Sequence, residues 1–155
     1  MHRLKEKSEK ALPPPISQEI SKRLYKYLVV ILVSKSTMFL QAQLQGTAKK
    51  CLFQLSASNY DDIVSQILPL LSSTSSEEEV ATHGVLLEYL NVNEYNLGRV
   101  LTSLAGIVSG TKKTNVQVVY AKVIHQVIWN WINRYPLEFQ NLCKTKRKVH
   151  SMYCP

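Results

Sequence analysis

The chain has 155 residues, 45% hydrophobic and 19% charged, with 5 Gly and 6 Pro. That composition can bury a core, and it excludes collagen-like, low-complexity and wholly disordered classes. Cys51, Cys143 and Cys154 lie far apart and are odd in number, which argues against a disulfide scaffold and for a reducing compartment.

The formal net charge is +8, and its placement matters more than its sum. Residues 1–15 hold Arg3, Lys5, Lys7 and Lys10 against Glu6 and Glu9. Residues 144–155 hold Lys144, Lys146, Arg147 and Lys148 with no acid. The body between them carries eleven basic and nine acidic residues. A folded nucleic-acid binder carries a basic stripe on its body, so this balance disfavours nucleic acid as partner. The two ends read as solvated tails, with a weak, salt-sensitive contact to an anionic membrane or nucleic acid as their functional reading.

Residues 1–15 are expected to be a disordered basic leader. It closes at Pro13-Pro14-Pro15, which favours extended backbone and bars a helix from running through. Residues 16–143 follow as a helical domain. Ile16, Ile20, Leu24, Tyr27, Leu28, Ile31 and Leu32 recur at steps of three and four, one face of a helix. The apolar run Leu28–Val33 is far shorter than the ~20 residues a membrane span needs.

The next stripe is Leu40, Leu44, Ala48, Cys51, Leu52 and Leu55, with Gly46 a weak point. Cys51 on that face reads as an inert buried thiol. Asn59 is the expected cap of a following helix, with Asp61 and Asp62 in its first turn and Pro69 bending or ending it. Ser76 and Glu79 match a capping box. The helix after them buries Val80, Leu86, Leu87 and Leu90. Asn93 caps the next, which carries Leu97 to Val108 and ends at Gly110, where a left-handed residue is expected.

From Thr114 or Asn115 runs a long helix with the stripe Val116, Val119, Tyr120, Val123, Val127 and Trp131. Tyr135-Pro136 breaks it, and Pro136 opens a short helix over 137–143. Trp129 and Trp131 diverge by roughly 200°. One packs in the core, and the other packs against Tyr135 and Phe139 or meets a neighbouring segment. Core roles for both are expected, with a partner-binding anchor as the alternative. No strand alternation or hairpin turn occurs. The fold is read as all-α, an α-solenoid of six to seven helices, followed by a basic tail over 144–155.

No catalytic constellation emerges. GxGxxG, Walker, GxSxG, HExxH and CxxC patterns are missing, and His2, His83, His125 and His150 are scattered, so neither a metal nor a cofactor is called for. His125 reads as a surface or satisfied core histidine.

Several short motifs together do resemble a known family. Leu52-Phe53-Gln54-Leu55-Ser56, then Asn59-Tyr60, then Leu87-Glu88-Tyr89-Leu90-Asn91-Val92 are in place. Trp129-Asn130-Trp131 and Tyr135-Pro136-Leu137-Glu138-Phe139 close the series. In order and spacing these are similar to L-F-x-L-S, N-F/Y, L-x-Y-I/L-N-V and W-N-W-x-x-x-Y-P-x-E-F in the N-terminal helical region of neurofibromins, over about residues 16–143. The resemblance implies a piece of a large cytoplasmic negative regulator of Ras. In that family a HEAT/armadillo solenoid serves dimerisation and scaffolding, while a separate central domain supplies the arginine that accelerates GTP hydrolysis.

This chain has no counterpart of that domain's F-L-R-F-I-N-P-A neighbourhood, and Arg99 and Arg134 stand in other contexts. No catalytic residue is carried over, and the ends, 1–15 and 144–155, do not match. The implied partners are adjacent solenoid segments, a second copy, and the Ras pathway indirectly. The residues assigned to contact are Trp129, Lys144, Lys146, Arg147 and Lys148. The alternative function is a small basic helical module that binds anionic membrane or nucleic acid through its tails.

Overall fold

A computed structural model describes residues 14–34 and 39–153. Most of the expected leader, residues 1–13, lies outside the described residues. Among those described there are seven α-helices and no strand: α1 (Gln18–Val33), α2 (Phe39–Ser58), α3 (Tyr60–Ile67), α4 (Glu77–Glu88), α5 (Glu94–Gly110), α6 (Thr114–Arg134) and α7 (Pro136–Tyr153). The expected helical stretch 16–143 divides into two compact units. One is the chain up to Pro69 with Tyr89–Asn91; the other is Leu70–Glu88 with the chain from Val92 on.

In the first unit α1 packs on α2 and α3. Leu52, Ile63 and Ile67 are fully buried, each such side chain stabilising by about 1.5–3 kcal/mol. Pro69 sits in a 3-10 turn, Leu68–Leu70, that ends α3, since proline cannot continue the hydrogen-bond ladder. The face α1 buries is not the expected one. Ser21 and Tyr25 are buried, whereas Ile20, Leu24 and Tyr27 are 53%, 43% and 72% exposed. The second half of α1 is apolar around most of its circumference, so periodicity leaves the choice of face open. Packing on α2 and α3 selects a side turned about 100° from Ile20. Likewise α2 buries Ala48, Leu52 and Ser56, while Leu44 is 46% exposed.

Asn59 does not cap α3 with its side chain. Instead its amide grips the backbone of Ile16 on both sides. Nδ2 donates to the Ile16 carbonyl at 2.9 Å, and Oδ1 accepts from the Ile16 N–H at 3.4 Å. Ser56 Oγ, fully buried, accepts from the Asn91 N–H at 2.8 Å and donates to the Phe53 carbonyl at 2.9 Å. A buried hydroxyl satisfied in both senses avoids the cost of a lone polar group.

In the second unit α6 is central, packed on α4, α5 and α7. Val116, Tyr120, Val123, Val127 and Trp131 are its buried residues. The capping box forms as spaced: the Glu79 N–H donates to Ser76 Oγ at 3.2 Å, and the Ser76 N–H donates to a Glu79 carboxylate oxygen at 2.7 Å. Asn93 caps α5 by accepting from the Asn96 N–H at 3.0 Å. Tyr120 donates to the Ser72 carbonyl at 2.8 Å and so pins the Ser/Thr loop before α4.

Gly110 departs from expectation. No described residue has positive φ, and α5 ends through an extended Thr111. A Cβ at Gly110 would stand 3.2 Å from Ser73 Cβ, so this glycine answers a close approach between segments. Gly84 is a tighter case: a Cβ there would lie 2.8 Å from Val123 Cγ2, where α4 meets α6.

Candidate interaction site

The Trp129-Asn130-Trp131 stretch lies in the last turns of α6. Its three side chains have three fates, as a 100° step per residue requires. Trp131 is buried and meets the Phe139 ring edge-on, with centroids 6.3 Å apart at 87°, a favoured aromatic geometry. Its indole Nε1 is buried without a hydrogen-bond partner among the described residues. Asn130 Nδ2 donates to the Glu88 carbonyl at 2.9 Å, and Asn130 Oδ1 accepts from Gln126 Nε2 at 2.8 Å. This amide satisfies the C-terminal end of α4, where carbonyls lack helical partners.

Trp129 is 51% exposed. The expectation of a core role for both tryptophans therefore fails. Trp131 takes both the core place and the contact with Phe139, and Trp129 is left on the outer face.

The expected short helix over 137–143 continues to Tyr153. Lys144 is exposed on it, and Lys146, Arg147 and Lys148 belong to the same helix, their side chains lying outside those described. The basic cluster thus sits on a helical segment contiguous with the aromatic corner at Phe139. Leu137 and Leu142 on α7 are 68% and 48% exposed.

A groove in the first unit was not anticipated. It measures about 450 Å³ and runs between the start of α1 and one face of α2, with Ile16, Leu24, Cys51 and Leu55 among its walls. Cys51, expected to be buried, is an exposed free thiol. The reason is the rotation of α2 noted above: Ala48 and Leu52 take the core, and Cys51 turns to the groove. Its signal in the sequence is the stepping of Thr47, Cys51, Leu55 and Ser58 along α2, beside the core stripe.

His125 is exposed beside Lys122 and Glu88 at a shallow depression. Among the described residues no three His, Cys, Asp or Glu side chains are placed to hold a metal ion. No described helix is long and apolar enough to cross a membrane. Burial pushes the Tyr25 phenol up to about 12. It also raises Tyr120, against the pull of its hydrogen bonds to Ser75 and Ser72.

No protein-family profile matches the chain, and no solved structure is significantly similar to it.

Proposed function

We propose that this chain is an interaction segment of a neurofibromin-like negative regulator of Ras signalling, a stretch of HEAT/armadillo-like α-solenoid that carries none of the activating chemistry. The observation that supports this reading is the work done by the residues of the shared motifs. Ser56 of L-F-Q-L-S receives the N–H of Asn91 in L-E-Y-L-N-V. Asn59 of the Asn-Tyr pair holds Ile16. Asn130 of W-N-W holds Glu88 of L-E-Y, and Trp131 meets Phe139 of Y-P-L-E-F. Motif residues that bind one another across 35 and 42 positions of sequence make sense as a set inherited together. Trp129, exposed beside this corner, is the contact residue of the reading, since a large rigid aromatic is a preferred anchor at protein interfaces.

The test is Ras GTP hydrolysis with the isolated chain, alongside an in-frame search of its transcript for a Ras-activating domain. The expected results are no acceleration by the chain and such a domain downstream. A clear stimulation by the chain itself would overturn the division of labour.

The second reading is a basic helical module on an anionic surface. The continuity of α7 through Tyr153 favours it, because Lys144, Lys146, Arg147 and Lys148 then share one helix. Cosedimentation with phosphatidylserine vesicles at low and physiological salt distinguishes the two, since such binding weakens steeply as salt rises.

A further inference from the structure

We infer that Thr74 is a phosphorylation site for an acid-directed protein kinase, and that Lys112 and Lys113 receive its phosphate. The run Ser72-Ser73-Thr74-Ser75-Ser76 is followed by Glu77, Glu78 and Glu79. Thr74, Ser75 and Ser76 therefore each carry a glutamate three positions on. No Lys or Arg lies between Lys50 and Arg99, and no proline follows any hydroxyl of the run. A kinase that reads basic residues or proline has nothing to hold here. A basic substrate groove meets a row of carboxylates just after the acceptor.

The structure separates the three candidates. Ser75 is buried, and its Oγ accepts from the Ser72 N–H at 3.0 Å. Ser76 is held in the capping box of α4, bonded to Glu79 through both its Oγ and its N–H. Thr74 is exposed, in the turn it forms with Ser73. Its hydroxyl meets Ser72 Oγ at 3.0 Å on the exposed side. Thr74 to Ser76 lie ahead of α4, so only the first turn of that helix must open to extend Glu77 into a kinase, and helix ends open at little cost.

The fold also sets two lysines beside this turn. A Cβ at Gly110 would stand 3.2 Å from Ser73 Cβ, and exposed Lys112 and Lys113 follow Gly110 by two and three residues. Two residues of chain span at most about 7 Å. Glu77 Oε2 accepts from Asn115 Nδ2 at 2.8 Å, which ties the start of α4 to the start of α6, where the lysines stand. A phosphothreonine carries a charge of about −1.5 to −2, and the lysines offset its repulsion by the glutamates. In the step itself the Thr74 oxygen attacks the γ-phosphorus of ATP. Its bond to phosphorus forms as the bond from that phosphorus to the β,γ-bridging oxygen breaks, ADP leaves with the electron pair, and the hydroxyl proton passes to the kinase's carboxylate base. The site does not depend on the Ras reading.

The test uses the full chain, ATP and two kinases: casein kinase II, which selects acid after the acceptor, and protein kinase A, which selects arginine before it. Within residues 72–76, mass spectrometry is expected to find a single phosphate, on Thr74, from the acid-directed enzyme and none from the other. Thr74→Val should remove it, Thr74→Ser should keep it, and Ser73→Ala should leave its rate unchanged. Glu77→Gln, which keeps an acceptor for Asn115, should slow the reaction about tenfold. No labelling of this segment by casein kinase II overturns the proposal, as does a phosphate on Ser75 or Ser76 in place of Thr74. Labelling that requires urea, or a rate indifferent to Glu77→Gln, overturns it too. The second ionisation of the phosphate, ordinarily near about 6, is followed by phosphorus NMR. Its midpoint should lie lower by about 0.5 pH unit in the chain than in the Lys112→Gln/Lys113→Gln variant. Equal midpoints overturn the part given to the lysines.

Discussion

Gly84→Ala tests whether the contact between α4 and α6 is as close as the backbone makes it. On an open helical surface this change stabilises by up to about 1 kcal/mol, because glycine gives up the most backbone freedom on folding. At Gly84 the added Cβ would lie 2.8 Å from Val123 Cγ2 and 3.6 Å from Val123 Cγ1. Val123 is 4% exposed and β-branched, so its side chain cannot swing aside within a helix. Overpacking of this kind costs about 1–3 kcal/mol, enough to outweigh the entropic gain. A net loss of about 1 kcal/mol is expected, a fall in Tm of about 2–4 °C for a chain of this size. Gly46→Ala is the control: no atom of the described residues beyond its own helix backbone lies within 4 Å of its Cβ position, so it should gain about 0.5–1 kcal/mol. Urea unfolding of both variants, read as a midpoint shift at constant slope, separates the two outcomes. Combining Gly84→Ala with Val123→Ala should recover stability beyond additivity by about 1 kcal/mol. If Gly84→Ala stabilises as much as Gly46→Ala, the close-approach argument is wrong.

Tyr25→Phe removes a buried hydroxyl with no hydrogen-bond partner among the described residues, so at neutral pH it should be neutral or stabilising by up to about 1 kcal/mol in thermal melts. The phenol is raised from 10.0 to about 12 in the folded chain by burial, so its contribution is complete below pH 10 and is lost as pH rises to about 12; the variant should flatten that alkaline decline. Asn59→Ala deletes both bonds to Ile16 and is expected to cost about 1–3 kcal/mol, with faster proteolysis near residues 14–17; unchanged cleavage there would refute the clamp. Trp131→Ala should cost about 3–5 kcal/mol as a large core deletion. Trp129→Ala should stay within about 0.5 kcal/mol and remove the acrylamide-quenchable part of the fluorescence; comparable losses for the two would contradict their assigned places.

Helical periodicity and capping chemistry were legible in the sequence because they are local. A Ser three residues before a Glu satisfies the first-turn N–H groups whatever packs nearby, and the box at Ser76 and Glu79 forms as spaced. The same holds for the Asn93 cap and the stop at Pro69, and on α6 the residues Val116, Tyr120, Val123, Val127 and Trp131 of the expected stripe are all buried.

Where a helix is apolar on more than one side, its own residues do not say which side is inside. For α1 and α2 that choice belongs to the neighbouring helices, which bury Ser21, Tyr25 and Ser56 and leave Leu24 and Cys51 lining the groove. The roles of Asn59, Asn130 and Gly84 were hidden for the same reason. Each acts on a partner 39 to 43 residues away, and a contact between distant segments exists only once the chain has brought them together.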